Sequence, residues 1–180
     1  MALVYRIKII GKENIPKVGK YILCGNHVHA LDSAAITLTA KRKIRFVAKE
    51  ELYKNRFIKH LADTFGVIKI RRDSADMDAI KEMLKGLKNG NIIAIYPEGT
   101  RNGMEKHKDF KTGAAYMALK TNTQVIPVGI KGTFKPFSKI TLNYGKPMDF
   151  SQYKNKEKDK EVQEAVTKEI MKEVVRLSKI

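Results

Sequence analysis

The sequence predicts an α/β fold with a mixed, mostly parallel sheet flanked by helices. Three observations carry this. Short apolar runs of four to seven residues recur along the chain, as at Tyr21–Gly25, Ile44–Ala48 and Ile92–Tyr96. Segments with helical apolar spacing alternate with them, which is the pattern of strand–helix–strand units. Reactive and charged residues fall directly behind several of the runs, where α/β proteins place their sites.

The elements follow in order. Val4–Ile10 alternates apolar and polar residues and reads as a strand; Gly11–Gly19, with Asn and Pro, reads as a loop. Tyr21–Gly25 is a short buried strand, Asn26–Leu31 a junction, Asp32–Ala40 a helix and Ile44–Ala48 a strand. Glu50–Phe65 reads as one or two short helices and Val67–Ile70 as a strand. Asp73 or Ser74 is placed to cap a helix that runs to about Asn89, with Met77, Ile80, Met83, Leu84 and Leu87 on one face and Gly90 ending it. Ile92–Tyr96 is a strand, Thr112–Lys120 a helix, Val125–Gly129 a strand and Ile140–Tyr144 a strand. Pro127 lacks an N–H, so its strand is expected at an edge or a bulge. Lys154–Lys160 reads as a solvated linker or first helical turn. From about Lys156 to Ile180 an amphipathic helix carries Val162, Val166, Ile170, Val174 and Leu177 on one stripe. That stripe is expected to pack on the domain; lying on a bilayer is the alternative.

The whole chain of 180 residues is expected to form one domain, residues 1–180, with 156–180 as the C-terminal helix packed on it. Hydrophobic residues at 43% and charged residues at 31% are those of a globular rather than a disordered chain. Lys and Arg outnumber Asp and Glu by 36 to 19, a net charge of +17, so the partner is expected to be negative. Nucleic acid is disfavoured: zinc-finger spacing, an aromatic RNA-binding motif and tryptophan are all missing, and the basic residues are spread along the chain. The single cysteine, Cys24, excludes an internal disulfide and lies in an apolar run, so it is read as a core residue, not a nucleophile. No stretch approaches the roughly 18 apolar residues of a membrane-spanning helix. A metal site is not expected, because no third ligand stands at a suitable spacing near the histidines.

Candidate chemistry centres on Asn26-His27-Val28-His29-Ala30-Leu31-Asp32. If Asp32 opens a helix, its carboxylate lies back towards His27, fixes the ring tautomer and leaves the other nitrogen free to take a proton. The bland alternative is an Asp32 that only caps the helix and a His27 that is a polar loop residue. His29 is read as structural. Tyr96-Pro97-Glu98-Gly99-Thr100-Arg101 is a second turn behind a strand: Glu98 accepts hydrogen bonds, Gly99 admits a ligand to the backbone, and Arg101 is a phosphate ligand in type. Arg71 and Arg72, behind Val67–Ile70, and Lys49, behind Ile44–Ala48, stand ready for an anion at the same edge.

Taken together and in this order, these segments resemble the glycerolipid acyltransferase family, the 1-acyl-glycerol-3-phosphate acyltransferases of bacterial type. The family's four blocks appear as Asn26-His27-(four residues)-Asp32, Gly66–Arg72, Tyr96–Arg101 and Val125–Val128. Phe110-Lys111-(one residue)-Gly113 and Ile9-(one residue)-Gly11-(two residues)-Asn14-Ile15-Pro16 also resemble family stretches. The resemblance covers roughly Ile7 to Gly145. It implies that His27 is the general base, oriented by Asp32, and that the hydroxyl of lysophosphatidic acid attacks an acyl thioester without an acyl-enzyme. It implies that Arg72 binds the substrate phosphate, with Arg71 as the competing assignment, Arg101 and Lys49 as helpers, and Glu98 and Gly99 holding the glycerol-phosphate part. Backbone N–H groups near Gly99 or in the helix after Asp32 are the expected oxyanion donors. The expected co-substrate is acyl-carrier protein or acyl-CoA, with no further cofactor. The implied workplace is an anionic membrane surface, peripherally, on the cytoplasmic face.

Two departures from the family stand out. Lys69 occupies a position where an aromatic residue is usual, and the domain starts almost at Met1, where members commonly carry a membrane-docking segment ahead of it; either that segment has been removed or membrane binding is expected to fall to the basic surface and the last helix. The same chemistry would serve glycerol-3-phosphate or another lysophospholipid as acceptor. A lipid-binding domain without catalysis would not need both His27 and Asp32.

Overall fold

The computed structural model describes residues 5–54, 56–71, 76–103 and 110–180. Among them, seven strands form one sheet: β1 (Arg6–Ile10), β2 (Tyr21–Gly25), β3 (Ile44–Lys49), β4 (Ile68–Ile70), β5 (Ile92–Ile95), β6 (Val125–Lys131) and β7 (Lys139–Tyr144), in the order β1-β7-β6-β2-β5-β3-β4. Strands β6, β2, β5, β3 and β4 are mutually parallel; β7 runs antiparallel to β6, and β1 parallels β7. The mixed, mostly parallel sheet foreseen from the sequence is therefore present. Five helices accompany it among the described residues: α1 (Asp32–Ala40), α2 (Arg56–Phe65), α3 (Met77–Lys88), α4 (Gly113–Thr121) and α5 (Lys160–Ser178).

The pleat of β2 shows how the core divides. Ile22 and Cys24 face one apolar cluster, built with α3, α4 and α5. Tyr21 and Leu23 face the other, built with Ala35, Ile36 and Ala40 of α1. A strand buried on both faces reads as a continuous apolar run, which is why β2, β5 and β6 were legible.

The stripe on α5 is spent in the core: Val166, Ile170, Val174 and Leu177 are all buried. Each such side chain contributes about 1.5–3 kcal/mol of burial. The helix lies so close that a Cβ on Gly129 would sit 2.2 Å from the Leu177 carbonyl carbon. The bilayer alternative for this stripe is thereby excluded, since its apolar face already has a partner. The charge run ahead of it ends in Asp159, whose side chain caps α5 by accepting from the Glu161 and Val162 N–H groups.

Several boundaries differ from expectation. The expected cap residues Asp73 and Ser74 lie outside the described residues; the observed cap of α3 is Asp76, whose side chain accepts from Ala79 N–H. Met77 is exposed rather than on the buried face, because it opens the helix beyond the reach of the sheet. Strand β6 continues past Gly129 to Lys131, where its inner residues pair with β7.

Pro127 does not mark an edge: β6 lies between β2 and β7. The bulge half of that expectation holds. Val128 pairs with Tyr144 and Val125 with Met148, so one extra residue is inserted on the side facing the proline. The missing N–H faces this irregularity, and the Pro127 carbonyl accepts from Gly145 N–H at 2.8 Å.

Candidate active site

Because β2, β3, β4 and β5 are parallel, the turns behind them leave from one edge of the sheet. The turn behind β2 is fixed from below by Asn26, which is buried and pairs twice with β6. Its Nδ2 donates to the Ile130 carbonyl (2.8 Å) and its Oδ1 accepts from Ile130 N–H (2.7 Å).

His27 follows. Its Nδ1 lies 2.7 Å from Asp32 Oδ2. The same oxygen accepts the N–H groups of Val28 (2.8 Å) and His29 (2.9 Å), so the carboxylate clamps the whole turn. Asp32 is wholly buried at the start of α1, and its Oδ1 has no hydrogen-bond partner among the described residues. A carboxylate only accepts, so Nδ1 carries the ring proton and Nε2 holds the lone pair.

His29 shows the opposite arrangement. Its Nδ1 accepts from Leu31 N–H at 3.2 Å, which puts the ring proton on Nε2, and its ring stacks on Phe134 at 4.7 Å. The structural reading of His29 fits this contact.

Tyr96, which ends a strand and opens the Tyr96–Arg101 turn but has no role assigned from the sequence, closes the site. Its ring stacks on His27 with centroids 4.4 Å apart and planes 12° from parallel. Its hydroxyl meets Ser33 Oγ at 3.2 Å. Desolvation, reinforced by the nearby Asp32 carboxylate, pushes the phenol well above its ordinary value, so it stays neutral. At Gly25 the neighbouring strand comes close: a Cβ there would press on the Val128 carbonyl oxygen at 3.3 Å.

Glu98 is buried, not displayed to solvent, and its Oε1 accepts the His27 N–H at 2.9 Å. A Cβ on Gly103 would clash with Glu98 Cβ at 2.7 Å, so the carboxylate is enclosed. Through this contact Glu98 helps position the His27 turn. Asn102 N–H completes the frame by donating to the His27 carbonyl (2.6 Å). Gly99 takes φ +63 in the turn, and its N–H donates to the Tyr96 carbonyl at 2.9 Å. That N–H is engaged within the turn.

The cations separate. Arg101 is exposed two residues beyond Gly99. Arg71 is tied back to α3: its N–H donates to Asp76 Oδ2 (2.8 Å), its Nε lies 3.5 Å from the same oxygen, and its Nη2 lies 3.9 Å from Asp78. Arg72 lies outside the described residues. Lys49 ends β3 in step with Arg45 and Val47, and Val47 packs in the α3 cluster. By the two-residue period of a strand, Lys49 shares the edge with His27 but not its face. Lys69 sits over the Tyr53 ring at 4.2 Å, so the departure from an aromatic residue is answered by a cation–π contact.

Among the described residues, no three His, Cys, Asp or Glu side chains gather as a metal site, and no helix is long and apolar enough to cross a membrane. The Cys24 thiol is buried and pushed up to about 12, so it is not poised as a nucleophile.

A two-faced α/β sheet whose edge carries an Asp-held imidazole with an open nitrogen is a protein equipped for general-base chemistry. Comparison with known proteins gives the particular family: residues 6–131 match the model of the Acyltransferase family, and the chain belongs to it. It is 36% identical over 143 residues to the 1-acyl-sn-glycerol-3-phosphate acyltransferase of Borreliella burgdorferi, covering 78% of this chain and 57% of that relative. It is 28% identical over 176 residues to the enzyme of the same name from Bacillus subtilis, covering 91% and 86%. The crystal structure of the 1-acyl-sn-glycerophosphate acyltransferase PlsC from Thermotoga maritima superposes with a TM-score of 0.68 at 30% identity, covering 93% of this chain and 72% of that one. The chain thus spans little more than half the length of the Borreliella relative.

Proposed function

We propose that this protein transfers an acyl group from an acyl thioester to the sn-2 hydroxyl of 1-acyl-sn-glycerol-3-phosphate, forming phosphatidic acid at the cytoplasmic face of a membrane. The observation that carries the reading is the 2.7 Å contact between His27 Nδ1 and the buried Asp32, which fixes an unprotonated Nε2 at the sheet edge. Kinship with enzymes named for this reaction supplies the acceptor.

The steps follow from the geometry. His27 Nε2 takes the proton of the acceptor hydroxyl as its oxygen attacks the thioester carbonyl carbon. Asp32 stabilises the imidazolium that forms. The tetrahedral intermediate collapses, the C–S bond breaks, and the proton passes from Nε2 to the departing thiolate. One ester is formed, one thiol is released, and no covalent enzyme intermediate is required, in keeping with the inert Cys24. General-base action of this kind is worth about 10²–10⁴ in rate.

Arg72 and Arg101 are assigned to the acceptor phosphate. The contacts of Arg71 with Asp76 (3.5 Å) and Asp78 (3.9 Å) favour Arg72 over it for that role. The donor is an acyl-carrier protein or acyl-CoA, and no cofactor beyond it is invoked.

The test is thiol release with mass spectrometry of the lipid, using lysophosphatidic acid in mixed micelles, each donor in turn, and His27→Ala as control. Phosphatidic acid made by the wild type and lost in the control is the expected result. Turnover that survives His27→Ala would remove the base assignment, and product only from glycerol-3-phosphate would change the acceptor.

A further inference from the structure

The loop between β6 and β7, residues 132–138, contains a feature that the fold does not require. Ser138 N–H donates to the Lys135 carbonyl at 3.0 Å, closing a β-turn with Pro136 and Phe137 at its centre. Phe137 takes φ +63. With proline before it, this is the type II arrangement, whose second central position favours glycine or asparagine. A bulky aromatic residue occupies it instead, and it is 76% exposed. Its left-handed backbone is strained, and its ring has almost no packing within the chain to compensate.

The surroundings are basic. Arg6 pairs with Lys139 across β1 and β7, and Arg6 N–H donates to the Ser138 carbonyl at 3.1 Å, so the turn adjoins this pair. Lys8, Lys131 and Lys139 line an open groove of about 500 Å³ beside it, together with Thr141. Lys135 stands in the turn itself. All five cations are exposed, and none has a carboxylate partner among the described residues. Like charges set side by side on neighbouring strands repel one another. Lys131 Nζ donates to the Lys179 carbonyl at 2.9 Å, which leaves its charge uncompensated. An exposed aromatic tip ringed by cations without carboxylate partners matches the interface of an anionic bilayer, where the ring enters the headgroup boundary and the lysines meet lipid phosphates.

The loop is also connected to the site. Phe134, at its base, stacks on His29, and Ile130, just ahead of it, holds Asn26. We infer that the β6–β7 turn, with Phe137 at its tip and Arg6, Lys8, Lys131, Lys135 and Lys139 around it, is the surface by which this protein docks on anionic membranes. The inference rests on the acyl-transfer reading only for its purpose, which is to bring the sheet edge to a lipid acceptor.

The chain contains no tryptophan, so Phe137→Trp introduces a single indole reporter. Vesicles of phosphatidylcholine with phosphatidylglycerol are expected to shift its emission to the blue, and pure phosphatidylcholine to leave it unchanged. Phe137→Gly relieves the backbone, so its thermal midpoint should hold or rise, while co-sedimentation with the anionic vesicles weakens on the order of tenfold. Lys135→Glu with Lys139→Glu should weaken it further, by about fivefold for each lysine lost, in low salt. Unshifted emission, or vesicle binding by Phe137→Gly equal to wild type, would overturn the assignment. So would an emission shift produced by an acidic carrier protein but not by vesicles. Docking with no acyl transfer would leave this surface standing and remove the functional reading.

Discussion

Behind β2 and behind β4 the chain passes a basic residue and, five positions on, an aspartate at the start of a helix. His27 with Asp32 and Arg71 with Asp76 are the same spacing on the same sheet edge. In both turns the aspartate reaches back to backbone N–H groups, Val28 and His29 for Asp32 and Arg71 for Asp76, which also accepts forward from Ala79 N–H as the helix cap. The outcomes are chemically opposite. An imidazole has two nitrogens, so engaging one leaves the other pointing outward with a lone pair. A guanidinium has only donors and a fixed charge, so drawing it against two carboxylates reduces what it offers a ligand. Burial differs too: Asp32 and its clamp are shielded, whereas the Arg71 side chain is 60% exposed.

The largest effect that could break this contrast is in turnover. Asp32→Asn should lower kcat by about 10³–10⁴ with the acceptor KM little changed, because an amide can donate to Nδ1 and turn the ring to the wrong tautomer. Asp76→Asn should leave kcat within about twofold, since its clamp holds no proton-transfer group. Steady-state thiol release measures both. Equal losses would mean that the two turns serve the site alike.

Next in size is phosphate recognition. Arg72→Gln should raise the acceptor KM by about tenfold or more, the usual cost of a charge-assisted hydrogen bond, while Arg71→Gln changes it by about twofold or less. The reverse pattern would return the phosphate to Arg71.

How these two turns could be read in advance differs as well. His27 and Asp32 were legible because their roles need only a strand end, a helix start and a five-residue offset, all local. Arg71 was not, because Asp76 competes for it only once the helix cap falls at Asp76 rather than at Asp73 or Ser74. Tyr96 was missed for a related reason. Its contact with His27 joins two strands that are adjacent in the sheet but 69 residues apart in the chain, and nothing local announces it. Lys49 stands at the sheet edge expected of it, and counting the pleat from Phe46 puts it on the opposite face from that residue. Pro127 gave half its meaning: a missing N–H demands an irregular partner, and the sheet supplied it inside rather than at the rim.

A smaller contrast lies in acid stability. The Arg71 and Ala79 N–H groups, followed by the Arg71 charge, hold Asp76 below the usual carboxylate range. A lowered folded value means that its contribution is fully present above the unfolded value and is lost as pH falls through the folded one. Asp76→Asn should therefore flatten the acid limb of the stability curve below the normal Asp range. Loss of the cap in Asp76→Ala should lower Tm at neutral pH by about 2–4 °C. Thermal melts across pH 2–7 would show whether this clamp is purely structural.

The smallest expected effect tests Glu98. If the enclosed carboxylate positions His27 by accepting its N–H, then Glu98→Gln preserves an acceptor in nearly the same shape. The acceptor KM and kcat should both stay within about threefold of wild type, the loss being part of one hydrogen bond's charge assistance. Glu98→Ala removes the acceptor and opens a void beside Gly103, so kcat should fall further, while KM still moves little, because it is the base that is displaced and not the lipid phosphate. A selective rise in KM on Glu98→Gln would instead place this carboxylate on the glycerol-phosphate, and the His27 turn would then be held mainly by Asp32 and Asn102.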